Sequence, residues 1–143
     1  MNNLEKLHDL AHREKVAIIS TSLEADKSMI ISDGENTVIA LDKKKMESKE
    51  EEYVRLMHEL GHHQTDSFYR ANSTRDQRRT AEYRAKRWQY ENFLTLEDIQ
   101  AVVDRGVLEN FEIAEELGVT AEMIVDAVLY WESRGKRIRR NYY

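Results

Sequence analysis

Two histidines four residues apart, His58-Glu59-Leu60-Gly61-His62, constrain this chain more than any other feature of its sequence. On an α-helix, residues i and i+4 lie on one face, one turn apart. Two imidazoles placed this way can share one tetrahedral metal ion. Glu59 falls about 100° around such a helix from His58. That offset suits a proton acceptor beside the ion rather than a ligand on it. The neighbours support a helix: Tyr53, Val54, Leu56, Met57 and Leu60 give it an apolar face. Ser48 is a suitable N-cap, and Glu50, Glu51 and Glu52 suit the positive end of the helix dipole. The helix is predicted to run to about His63. Gly61 costs about 1 kcal/mol relative to alanine within a helix, so its presence predicts a close approach by another part of the chain.

The chain has no cysteine. Disulfides and thiolate ligands are excluded, and any metal must be held by histidine and carboxylate. A catalytic zinc site takes three protein ligands, so two histidines do not close it. His63 points off the face, and Asp66 falls in the polar loop from Asp66 to Thr74. Glu82 is the best candidate. It lies 20 residues beyond His62, on a second predicted helix that is capped by Asp76 or Thr74, runs to about Asn92 and can fold back antiparallel. Ala81, Ala85 and Trp88 form its apolar stripe, and the two alanines would let helix backbones approach. Glu82 also reads as an ordinary helix carboxylate paired with Arg78, Arg79 or Lys86. Spacing alone leaves both readings open.

Around these helices the pattern is α+β. Leu4, Leu7, Leu10 and Ala11 have helical spacing up to about Arg13. Val16 to Ile19, Met29 to Ile31 and Thr37 to Leu41 are short β-branched runs. They predict a small antiparallel sheet of about three strands, with a hairpin across Ser32-Asp33-Gly34-Glu35-Asn36. Lys43-Lys44-Lys45 reads as a loop. Beyond residue 94 everything reads as helix, making about six in all. Thr95 and Asp98 form a capping box, Gly106 and Gly118 fit helix C-termini, Thr120 fits an N-cap, and the last helix runs to about Arg134. We expect a metal-binding core over 1–94 and a helical extension over 95–143 packed on it, as one domain with a basic C-terminal tail. The formal net charge of −5 argues against nucleic acid as the main partner. There is no apolar N-terminal leader and no membrane-spanning run, so a cytoplasmic protein without membrane partners is expected.

His58-Glu59-Leu60-Gly61-His62-His63, followed by Glu82-Tyr83-Arg84-Ala85-Lys86-Arg87-Trp88, resembles the ImmA/IrrE family of metallo-endopeptidases. The likeness extends to the N-terminal helix and short strands. In that family the two histidines and the later glutamate bind the metal, and the glutamate within the first motif is the base. The resemblance therefore implies His58, His62 and Glu82 as ligands of one divalent ion, zinc or alternatively manganese, and Glu59 as general base. It also implies a bacterial or phage-encoded cytoplasmic endopeptidase whose substrate is a DNA-binding transcriptional repressor, cut to release phage, mobile-element or stress genes. The chain departs from the family where Tyr90-Glu91-Asn92-Phe93-Leu94 lacks the usual proline and where Trp88 replaces the commoner phenylalanine.

Three other constellations carry weaker signals. His8 and His12, with Asp9 between them, repeat the four-residue spacing but lack a third ligand, and read as an exposed polar helix face. Phe111 to Trp131 has helix-turn-helix spacing, as the family also does, but Glu122 and Asp126 on its second helix would repel phosphates. It reads as a packing hairpin, and the alternative of a DNA-binding or non-catalytic anti-repressor rests on it. The five basic residues of Arg134 to Arg140, with Tyr142-Tyr143 behind them, read as a solvated, mobile tail.

Overall fold

The structure is a computed structural model that describes residues 3–140. It divides into two compact units between residues 88 and 89, and among the described residues it is α+β, with six helices and one three-stranded sheet.

In the first unit, α1 (Asn3–Arg13) leads into β1 (Val16–Ser20), β2 (Ser28–Ser32) and β3 (Thr37–Leu41). The hairpin of β2 and β3 forms as the turn residues predict. Gly34 takes a positive φ, and the Asp33 carboxylate accepts from the backbone N–H groups of Glu35 and Asn36. The sheet is nevertheless mixed rather than wholly antiparallel. Its order is β1-β3-β2, and β1 pairs parallel to β3. The reason lies in the link between β1 and β2. Residues 21–27 are long enough to cross the end of one strand, and they do so over Leu41, which pairs with both Ser20 and Ser28. The Lys43–Lys45 segment, expected as a loop, is a short 3-10 turn.

The sheet packs on α2 (Lys49–Gln64), which carries the histidine motif, and α1 packs on β1 and α2. The Ser48 hydroxyl accepts from the Glu51 N–H at 3.1 Å, and Tyr53, Leu56, Met57 and Leu60 are buried as the periodicity requires. The helix stops in a Schellman turn. Asp66 adopts φ +49°, the Asp66 N–H donates to the His63 carbonyl, and the Ser67 N–H donates to the His62 carbonyl. A loop follows, and then α3 (Arg75–Phe93) begins. Its N-cap is Thr74, not Asp76. Thr74 and Gln77 bond reciprocally, side chain to backbone, at 3.1 and 2.8 Å, which Asp76 cannot do with its own third residue onward, Arg79.

The second unit takes the end of α3 and adds α4 (Leu96–Asp104), α5 (Asn110–Leu117) and α6 (Ala121–Ser133). The Thr95–Asp98 capping box is present, Gly118 closes α5 in the left-handed region, and Thr120 caps α6. The outward side of α6 carries Glu122, Val125 and Leu129 and no basic residue, a poor match to phosphates. The basic tail is solvent-exposed at Arg134, Lys136, Arg137 and Arg139, as expected, but it also has partners within the unit. Gln100 bonds both the N–H and the carbonyl of Arg139, Arg140 donates to the Leu108 carbonyl, and Lys136 lies over the Trp131 ring. Charge count alone cannot reveal such main-chain partners. Tyr142 and Tyr143 lie outside the described residues. Among the described residues no helix is long and apolar enough to cross a membrane.

Candidate metal centre

α2 and α3 are held together where Gly61 faces Ala85. A Cβ on Gly61 would lie 2.7 Å from the Ala85 carbonyl oxygen and 3.2 Å from its Cα. These are backbone atoms and cannot step aside. Ala81 and Ala85 are buried. The glycine and the two alanines thus set the helix separation, and that separation brings Glu82 to the histidines. We expect Gly61→Ala to lower stability by about 1–3 kcal/mol, outweighing the roughly 1 kcal/mol gain in helix propensity. It should also weaken metal binding by moving α3 outward. Denaturant unfolding checks this, and a variant as stable as wild type would refute it.

His58, His62 and Glu82 offer one ligand atom each, all within 4.8 Å of one another. His58 Nε2 lies 3.2 Å from His62 Nε2 and 2.8 Å from Glu82 Oε2, and His62 Nε2 lies 3.2 Å from Glu82 Oε1. Ligands at 2.0–2.1 Å from a tetrahedral zinc are about 3.3 Å apart, so the three atoms already approximate one face of that tetrahedron. His62 Nδ1 is 2.8 Å from the Ser67 carbonyl oxygen. A carbonyl only accepts, so Nδ1 carries the proton and Nε2 presents a lone pair. In the neutral ring that lone pair faces a carboxylate oxygen, two acceptors with no donor between them, an arrangement a bound cation relieves; a protonated ring instead donates to Glu82. Burial alone would raise the Glu82 carboxyl, but hydrogen bonds and charge from His58 and His62 outweigh it. They hold the group well below the usual carboxylate range. The donor set fits a divalent ion of the zinc type.

Glu59 is buried on the same helix, and its Oε2 accepts from Ser28 Oγ at 2.8 Å. Ser28 comes from β2, so the sheet orients the carboxylate. These groups line a cleft of about 590 Å³ that is also bounded by Met29, Ile30, Phe68 and Tyr69. The Tyr69 hydroxyl bonds Glu82. Burial first, then that bond and the nearby carboxylates, push its pKa up to about 12, so it remains a proton donor at neutral pH. The Tyr69 ring stands edge-on to His62, with the Arg78 guanidinium over it. β2 is an edge strand here. The pairs Lys27–Asp42 and Asp33–Asn36 are hydrogen-bonded, so by alternation Met29 and Ile31 bond β3. The main-chain groups of Ser28 and Ile30 therefore face away from the sheet.

The family model for Peptidase_M78, described as the IrrE N-terminal-like domain, matches residues 11–128. The chain belongs to this family. No curated protein and no solved structure matches it. Peptidase_M78 membership makes protein the substrate class, and the resemblance read from the two helix motifs therefore holds.

Within this Peptidase_M78 chain, the structure brings His58, Glu59, His62 and Glu82 to one cleft. His63 turns instead toward Glu14, 3.7 Å away, and Asp66 serves the helix end. His8 and His12 are exposed, and Asp9 pairs with Arg13 at 3.1 Å. α3 also carries the basic residues Arg75, Arg78, Arg79, Arg84, Lys86 and Arg87, and of these only Arg78 borders the cleft. Sequence reasoning missed Ser28, Ser67 and Tyr69. Ser67 carried a faint signal, since the residue two past a helix end returns its backbone to the last turn. The other two carried none.

Proposed function

We propose that this chain is a zinc-dependent endopeptidase of the His-Glu-x-x-His…Glu type, with His58, His62 and Glu82 as metal ligands and Glu59 as general base. The single observation that carries this reading is the near-tetrahedral face of His58, His62 and Glu82 beside a buried, sheet-oriented Glu59. When bound, the metal polarises the scissile carbonyl and acidifies water. Glu59 takes the proton of the attacking water and passes it to the leaving amine nitrogen. Ser28 fixes one oxygen of Glu59 and leaves the other for that transfer. The Tyr69 phenol donates to the oxyanion that develops on the carbonyl. An extended substrate adds to the free edge of β2, its main chain bonding Ser28 and Ile30. We assign the chemistry to residues 1–94, with 95–143 as a helical extension.

Our reading of the biological substrate is a cytoplasmic DNA-binding repressor, supported by the family resemblance of the two helix motifs. The test is to express wild type and Glu59→Gln in the source cell and compare new protein N-termini by mass spectrometry. A cut repressor found only with wild type is expected. Equal repressor release by both forms would replace proteolysis by a binding mechanism. For Tyr69→Phe we expect kcat to fall about 100-fold with KM and metal content little changed. An unchanged kcat would remove the phenol from the mechanism.

A further inference from the structure

We propose that the cleft selects protein segments bearing an acidic side chain one or two residues from the scissile bond, with Arg55 and Arg70 as the residues that read it. This rests on the metallopeptidase reading above and adds its substrate class.

The case is electrostatic and geometric. Arg55, Arg70 and Arg78 border the cleft together with Asp26, Glu59 and Glu82. Three guanidiniums balance three carboxylates, so a divalent ion leaves the cleft with two net positive charges on a chain whose overall charge is −5. The cleft thus opposes the rest of the surface in sign and draws in anionic segments.

The two kinds of charge also differ in how far they are engaged. Glu59 is bonded by Ser28, and Glu82 by both histidines. Arg78 donates to the Ala71 carbonyl and covers the Tyr69 ring. By contrast, neither Arg55 nor Arg70 makes a side-chain hydrogen bond or an ion pair within 4 Å among the described residues. The acidic neighbours of Arg55 on α2 each have another partner: Glu51 is held by Lys27 at 2.5 Å, with only a weaker charge effect from Arg55, Glu52 by Lys43 at 3.3 Å, and Glu59 by Ser28 at 2.8 Å. A guanidinium without a carboxylate partner at the wall of a cleft offers a planar, two-pronged site for one.

Position fixes the register. Arg55 precedes His58 by three residues and shares its helix face, about 4.5 Å along the axis at about 1.5 Å per residue. An extended chain advances about 3.3 Å per residue. A side chain one or two residues from the bond over the histidines therefore comes level with Arg55. Arg70 stands in the loop after α2, next to Tyr69.

The test uses zinc-loaded Glu59→Gln protein, immobilised and mixed with a pool of random-sequence synthetic decapeptides. Captured and input pools are compared by mass spectrometry. We expect Asp and Glu to be enriched about fivefold, and the enrichment to vanish in Glu59→Gln/Arg55→Gln/Arg70→Gln while neutral peptides are captured as before. Capture without acidic enrichment, enrichment that survives the arginine changes, or no capture at all overturns the proposal. The captured pool is then given to zinc-loaded wild type. Acid-selective capture with no cleavage would uphold the selectivity and sink the peptidase reading. Cleavage with no acidic preference would do the reverse.

Discussion

Glu59→Gln is expected to slow peptide cleavage by about 10²- to 10⁴-fold and to leave the metal in place. The substitution is nearly isosteric. The amide oxygen can still accept from Ser28 Oγ, which sits 2.8 Å from the carboxylate in the parent chain, so the side chain keeps its orientation. It loses only the capacity to take a proton from water and return it to the leaving nitrogen. The comparison needs two measurements on the same preparations: kcat on a cleaved substrate, and metal per chain by mass spectrometry. A Gln variant that cleaves at the wild-type rate would remove Glu59 from the chemistry. One that had also lost its metal would make the kinetic comparison uninformative about the base, and Glu59→Asp would then separate the two effects through its retained charge.

Glu82→Ala is expected to weaken metal binding by about 100-fold or more, since loss of even an outer-shell partner typically costs about 10- to 100-fold. Of the three proposed ligands Glu82 alone is not on α2, and each of its oxygens reaches a different histidine. Without it the site has two imidazoles and no charge to offset that of the ion. Competition with a chelator of known affinity gives the change, and metal content per chain gives the stoichiometry. Unaltered affinity would keep the histidine pair and demand another third ligand. A wild-type chain that takes up no metal even on reconstitution would overturn the peptidase mechanism as a whole. The fold should survive the substitution, because Ala81 and Ala85 hold α3 in place.

Some of this architecture was readable from sequence because it is written in short-range periods. A histidine pair at i and i+4, an apolar face at Tyr53, Leu56, Met57 and Leu60, and alanines at 81 and 85 each fix which side chains share one face of a helix. Gly61 was legible for the complementary reason, that an unfavourable residue needs a cause, and the cause is the Ala85 backbone. The parallel pairing of β1 with β3 was not legible. Three five-residue apolar strands carry no mark of their order, and only the length of the β1–β2 link bears on it. Ser28 and Tyr69 were hidden for a similar reason. Ser28 reaches Glu59 across 31 residues of chain, and Tyr69 lies in a loop with no period to locate it. The tail's charge suggested solvent, and Arg134, Lys136, Arg137 and Arg139 are exposed, but charge gave no sign that the Arg139 main chain bonds Gln100 or that Arg140 reaches the Leu108 carbonyl.

The turn that ends α2 has a consequence for how this site tolerates change. The group that fixes the His62 tautomer is the main-chain carbonyl of Ser67, delivered by the left-handed Asp66. A main-chain atom is present whatever residue is encoded. Replacing Ser67 removes its hydroxyl, 3.3 Å from His62 Nδ1, but not the carbonyl at 2.8 Å. Mutational drift at position 67 should therefore leave the imidazole correctly protonated. The vulnerable position is its neighbour, where a β-branched residue would resist the positive φ. What looks like the least specified stretch of the site, a bend after a helix, is thus specified by shape and not by side chain.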